Sequence, residues 1–219
     1  QSNAYSQKKL SDIMELMPDT VKESSDYKAV LNAINENPEI GNLKLVSQSM
    51  EENFSDKMIV ACAFQDDSEN TYVAYRGTGD GKWVDYGIGI ASESSPMQEE
   101  SHRYFDHVVE SLGLDSATEG RLIVTGHSKG GNEAQYVTLN SKYGDLIDNC
   151  YSIDGQGFSK EALQMFIDKY GEEHYRDQLE KMYSINGEND YVHDLGYVVI
   201  PEKNTYFIET PKANDFGGY

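Results

Sequence analysis

Residues 122–137 read LIVTGHSKGGNEAQYV. Leu122 to Thr125 form a short apolar run of the kind found in a strand buried on both faces. From Ser128 onward the pattern is helical. Between the two, Gly126-His127-Ser128-Lys129-Gly130 fits G-x-S-x-G in its informative context of strand, sharp turn and helix. A serine held in such a turn projects its hydroxyl from the sheet, and a side chain at either glycine would collide with the adjoining strand or helix. The first helical amides and the helix dipole favour negative charge there, so the Lys129 N–H is a candidate oxyanion donor. A phosphate-binding G-x-x-x-x-G loop shares the spacing of Gly126 and Gly131. It needs Lys and then Ser or Thr next, whereas Asn132 and Glu133 follow here.

Outward from this stretch, elements alternate. SQKKLSDIMELM and SSDYKAVLNAIN carry apolar residues at helical spacing. LKLVSQSM, MIVACAF and TYVAYRG read as strands, the last two joined as a hairpin by the acidic turn QDDSEN. GDGKWVDYGIGIAS reads as irregular. A helix follows, opened by Ser95-Pro96 and closed by Gly113. After the central stretch come the strand NCYSIDGQG, a helical segment broken at Gly171, and three strand candidates, MYSING, GYVVIP and TYFIET. The pattern predicts a three-layer α/β/α sandwich: a mostly parallel sheet with helices on both faces and added N-terminal helices. QSNA at residues 1–4 reads as the remnant of a cleaved tag, and 5–219 as a single domain.

The formal net charge of −20 repels phosphate backbones, so nucleic acid is an unfavoured partner. No apolar run approaches the ~18 residues of a membrane span, and stable insertion is not expected. Cys62 and Cys150 lie in apolar runs and read as buried free thiols. Neither cysteine nor histidine shows metal-ligand spacing. Compartment is not fixed by these features, with the cytoplasm favoured, and oligomeric state is left open.

VTGHSKGGNEA resembles the nucleophile elbow of α/β-hydrolases, and of the class 3 lipase-like branch in particular. Tyr75-Arg76-Gly77-Thr78, with Trp83 and Asp85, is similar to a second segment of that branch. The Lys after the serine and SIDGQGF downstream are similar to a bacterial lipase-like group. The resemblance implies an α/β-hydrolase-like fold and a serine hydrolase acting on a small-molecule ester or lipid, with no metal or organic cofactor. Thioesterase or peptidase chemistry would use the same constellation, and a binding protein that has lost its base is the rival reading. The resemblance implies Thr78 as the second oxyanion donor. Arg76 reads as a structural ion-pair residue.

A serine nucleophile needs a histidine base and an acid, in the order Ser, acid, His for this fold. SINGENDYVHD resembles the segment that carries the acid, which points to Asp190, with Asp154 as runner-up. His127 sits inside the elbow with its ring directed away from the hydroxyl. His102 and His107 precede the nucleophile, and His174 lies in a charged helix. The family's histidine follows the last strands, where this sequence stops at Tyr219. A longer native chain therefore ranks first, and His193, three residues past Asp190, is the provisional base within the sequence.

Overall fold

The computed structural model describes residues 7–22, 25–50, 54, 59–77 and 83–210. Seven strands form one sheet in the order β1-β2-β3-β4-β5-β6-β7. They are β1 Lys44–Gln48, β2 Ala61–Gln65, β3 Thr71–Tyr75, β4 Leu122–His127, β5 Asn149–Ile153, β6 Met182–Gly187 and β7 Thr205–Ile208. β1, β2 and β3 are antiparallel neighbours, and β3 through β7 run parallel. The expected hairpin is present. Asp66 organises its turn, accepting from the Ser68 and Asn70 amides and from Tyr72 Oη.

Helices α1 Leu10–Glu15, α2 Asp19–Lys22, α3 Ser25–Glu36 and α4 Pro38–Gly41 precede the sheet, and Lys9 bridges to Lys44 at the start of β1. Four more pack over the parallel strands: α6 Pro96–Leu112, α7 Lys129–Asn140, α8 Lys160–Tyr170 and α9 Glu172–Glu180. The fold is the α/β sandwich that the sequence pattern predicts. α6 opens on a capping box in which Ser95 and Gln98 bond each other's backbone, and it closes on Gly113 in the left-handed conformation. Gly171 separates α8 from α9.

α7 is the central helix, and every one of its residues is buried. On one side Val124, Val137 and Cys150 are fully enclosed; on the other Tyr136 packs against Phe158 and Phe166. α7 lies this close to the sheet because two glycines permit it. A Cβ on Gly126 would fall 2.2 Å from the Gly130 carbonyl oxygen, and one on Gly130 would fall 2.2 Å from that of Tyr75. Both obstacles are backbone, which cannot rotate aside.

Three segments differ from expectation. Residues 83–89 of the Gly-rich stretch form a helix, α5 Trp83–Gly89. GYVVIP is not a strand: Tyr197 makes an isolated bridge with Phe158 across the loop after β5. It has β-forming residues, but it pairs with that loop instead of the sheet, through the Tyr197 amide and carbonyl, which bond the Phe158 carbonyl and amide. His174, on a charged helix that would leave it solvated, is half-buried against Tyr170 and Asp145. Cys62 and Cys150 are free thiols, Cys62 only half-buried, and burial pushes the Cys150 thiol up to about 12.

Gly130→Ala is expected to destabilise the fold by about 3 kcal/mol, the upper end for overpacking against immovable neighbours; urea unfolding measures it. Iodoacetamide at pH 8 is expected to leave Cys150 unmodified in the native protein and to alkylate it after unfolding, read by peptide mass.

Candidate active site

Ser128 sits between β4 and α7 with φ 54° and ψ −122°, in left-handed territory that side chains other than glycine avoid. The surroundings hold it there. Its N–H donates to the Ile153 carbonyl at 2.8 Å, and its carbonyl accepts from the Gly131 and Asn132 amides at 2.9 and 3.2 Å. Lys129, next in the chain, begins α7, where N–H groups have no intrahelical acceptor. Gly77 runs beside the elbow: a Cβ there would fall 3.4 Å from Ser128 Cβ. Thr78, the other expected oxyanion donor, lies outside the described residues. Arg76 is exposed and forms no ion pair among the described residues.

The acid candidates converge one and two strands away. Asp154 follows β5 with φ 46°, and its Oδ1 accepts from the Gly187 amide at 2.7 Å, which ties the ends of β5 and β6 together. Asp190 follows β6, and its Oδ1 accepts from the Val192 amide at 2.6 Å, closing the short helical turn Val192–Asp194 that carries His193. Atoms of Asp154, Asp190 and His193 lie within 4.8 Å of one another. Two carboxylates and an imidazole at that spacing suit an acid–base pair, and they are also the described group able to hold a divalent cation. The runner-up Asp154 thus belongs to the same cluster as Asp190 and His193.

No histidine nitrogen is hydrogen-bonded to Ser128 Oγ among the described residues. His193 Nε2 lies 3.5 Å from Asp194 Oδ1, its ring meets Phe207 edge-on, and its Nδ1 is buried without a partner among the described residues. His127 is well exposed, with Nε2 3.9 Å from Asp154 Oδ2. His102 lies beside Asp106 and His107 beside Ser111, both on α6 and away from the elbow.

The Lys129 side chain is a feature that the sequence reading passed over. Its backbone was singled out, but its ammonium group is fully enclosed at 1% exposure. Nζ lies 3.4 Å from Asp85 Oδ2 on α5 and donates to Ser95 Oγ and Asn132 Oδ1 at 3.3 and 3.2 Å. Asp85 Oδ1 accepts in turn from the Met97 amide in the first turn of α6. One buried cation therefore joins the elbow helix to α5 and to the start of α6. Burial pushes the Lys129 ammonium below its usual range, opposed by the carboxylates of Glu133 and Asp85. A lysine within a G-x-S-x-G motif was the available signal, since burying its charge requires a partner.

A sharp strand–serine–helix turn on a mostly parallel α/β sheet, at the carboxyl end of its central strand, is the arrangement of the α/β-hydrolase fold in its lipase-like form. A model of the Mbeg1-like family matches residues 34–193, and the chain belongs to that family. No curated protein matches it by sequence. Among solved structures it is similar to lipase II from Rhizopus niveus, at 15% identity and TM-score 0.53, over 89% of this chain and 78% of that one. It is also similar to a fungal lipase solved with an inhibitor, at 14% identity and TM-score 0.51, over 83% and 68% of the two chains.

Lys129→Met is expected to cost about 3–5 kcal/mol, because it leaves the scarcely exposed Asp85 carboxylate without its cation. Adding Asp85→Asn should recover part of that loss. A double-variant cycle followed by denaturant unfolding checks the coupling.

Proposed function

We propose that the protein is a serine hydrolase of carboxylic esters with Ser128 as nucleophile. The observation that carries this reading is the strained Ser128 backbone at φ 54° between β4 and α7, a conformation that costs energy and presents the hydroxyl at the carboxyl end of the sheet. Ser128 Oγ attacks the ester carbonyl carbon. Its proton passes to an imidazole, and the Lys129 N–H together with Thr78 holds the oxyanion that develops. The tetrahedral intermediate collapses as the leaving alcohol takes the proton, and water then releases the acid by the same steps in reverse. Asp190 orients the imidazole, and His193 is the base available beside it. In catalytic histidine–acid pairs a neighbouring carboxylate stabilises the imidazolium that forms.

A second reading is favoured by one observation: no histidine is bonded to Ser128 Oγ among the described residues. On that reading the elbow is retained in a binding protein without a working base. A fluorophosphonate probe separates the two. Labelling of the parent chain and not of Ser128→Ala, read by intact mass, is the expected result; absence of labelling in a folded sample would sink the hydrolase reading for this chain. With a p-nitrophenyl ester, Asp190→Asn is expected to lower kcat by roughly 10⁴-fold, and Asp154→Asn by much less. The reverse order would assign the acid to Asp154. Labelling of His193→Ala at the parent rate would place the base elsewhere.

A further inference from the structure

Behind His193 lies a cavity of about 350 Å³, at the low end of the size range of small-molecule sites. It opens between the loop after β5 and the carboxyl ends of β6 and β7, and Gly155, two residues past the carbonyl that holds Ser128, forms part of its wall. Its buried wall carries side-chain amides with bonding capacity to spare. Gln135 is 2% exposed and commits Nε2 to Ser152 Oγ and the Gln156 carbonyl, leaving Oε1. Asn186 is 1% exposed and accepts from Ser184 with Oδ1, leaving Nδ2. His193, which also lines the cavity, has its Nδ1 buried. None of these three atoms has a hydrogen-bond partner among the described residues. Of the three, His193 Nδ1 is itself cut off from solvent; buried polar atoms in folded proteins are nearly always paired, so it marks a place where something else supplies a bond, and the two amide groups line the cavity beside it.

The chemistry of the lining narrows what that is. An amide acceptor, an amide donor and an imidazole nitrogen in one lining ask for a molecule that donates and accepts at several points, which hydroxyl groups do. Water would meet that demand alone, but it gains nothing from the apolar surface that Ile200 and the half-exposed ring of Phe207 add to the lining. The carboxylates of Asp194 and Glu202 complete the rim and disfavour an anion. Several hydroxyls, apolar carbon between them and no negative charge describe a sugar ring. We propose that this cavity binds a neutral monosaccharide ring, carried as the alcohol part of an acylated sugar. This assignment as a leaving-group pocket rests on the reading of Ser128 as nucleophile. In that reaction the bond from Ser128 Oγ to the acyl carbon forms as the sugar C–O–acyl bond breaks at the acyl carbon. The serine proton reaches the sugar oxygen through the imidazole, and water then releases the acid.

Two measurements on the full chain test it. The first is a titration of ¹⁵N-labelled protein with methyl α-D-glucopyranoside, which carries no ester. Saturable shifts of the Asn186 and Gln135 side-chain amide signals are expected, weakened in Val198→Trp, which narrows the cavity from an exposed position. Absent shifts, or shifts that never saturate, would mean that water alone occupies the cavity and would overturn the proposal. The second compares kcat/KM for butyryl glucose with that for ethyl butyrate. The sugar ester should be preferred, and the ratio should fall about tenfold in Asn186→Leu and in Val198→Trp, as expected for loss of a well-made hydrogen bond or of the fit. An unchanged ratio in both variants would overturn the leaving-group assignment. If neither ester is hydrolysed and the fluorophosphonate does not label Ser128, the nucleophile reading fails, and the titration still judges the cavity by itself.

Discussion

The contact on which the molecule depends is the approach of α7 to the ends of β3 and β4. Two backbone segments meet there without side chains between them, at Gly126 and Gly130. That contact bends the chain sharply enough to force Ser128 into left-handed backbone, and it seats a helix with no solvent-exposed residue in the middle of the fold. The surrounding hydrogen bonds from Ser128 to Ile153, Gly131 and Asn132 hold the strained residue in place. The strain and the enclosure of α7 are two results of one constraint.

Enclosing α7 brings polar side chains inside with it. Lys129, Asn132 and Gln135 are all buried, and they are accommodated by partners from separate parts of the chain. Gln98 of α6 bonds Asn132 at 2.7 Å, Ser152 of β5 receives Gln135, and Asp85 of α5 receives Lys129. A buried network of this kind is stable only when its members are satisfied together. It fixes the relative positions of α5, α6 and α7, the three helices that border the elbow. The unpaired amide atoms at its far end, on Gln135 and Asn186, face the cavity beside His193.

Much of this was legible in the sequence because it depends on local chemistry. Glycines on either side of a serine, a strand before it and a helix after it require nothing from distant residues. The QDDSEN turn, the Ser95-Pro96 helix start, the Gly113 stop and the Gly171 break are of the same kind. GYVVIP failed because strand propensity records fit to a pleated surface and not the presence of one; the loop at Phe158 engaged its backbone first. α5 was missed for the opposite reason. Its glycines argue against a helix, and its anchoring comes from Lys129, more than forty positions away.

The sequence alone determined the elbow, the mostly parallel α/β sheet and the order of its elements, since each follows from periodicity, turn chemistry and the space a glycine leaves. Only the tertiary structure decided that the side chain of Lys129 is an internal ion-pair partner, that Asp154 lies within reach of Asp190 and His193, and that an amide-lined cavity stands behind the histidine. Those are relations between strand ends and helices that are neighbours through the sheet and not through the chain. Strand order and register set them, and local sequence carries no record of either.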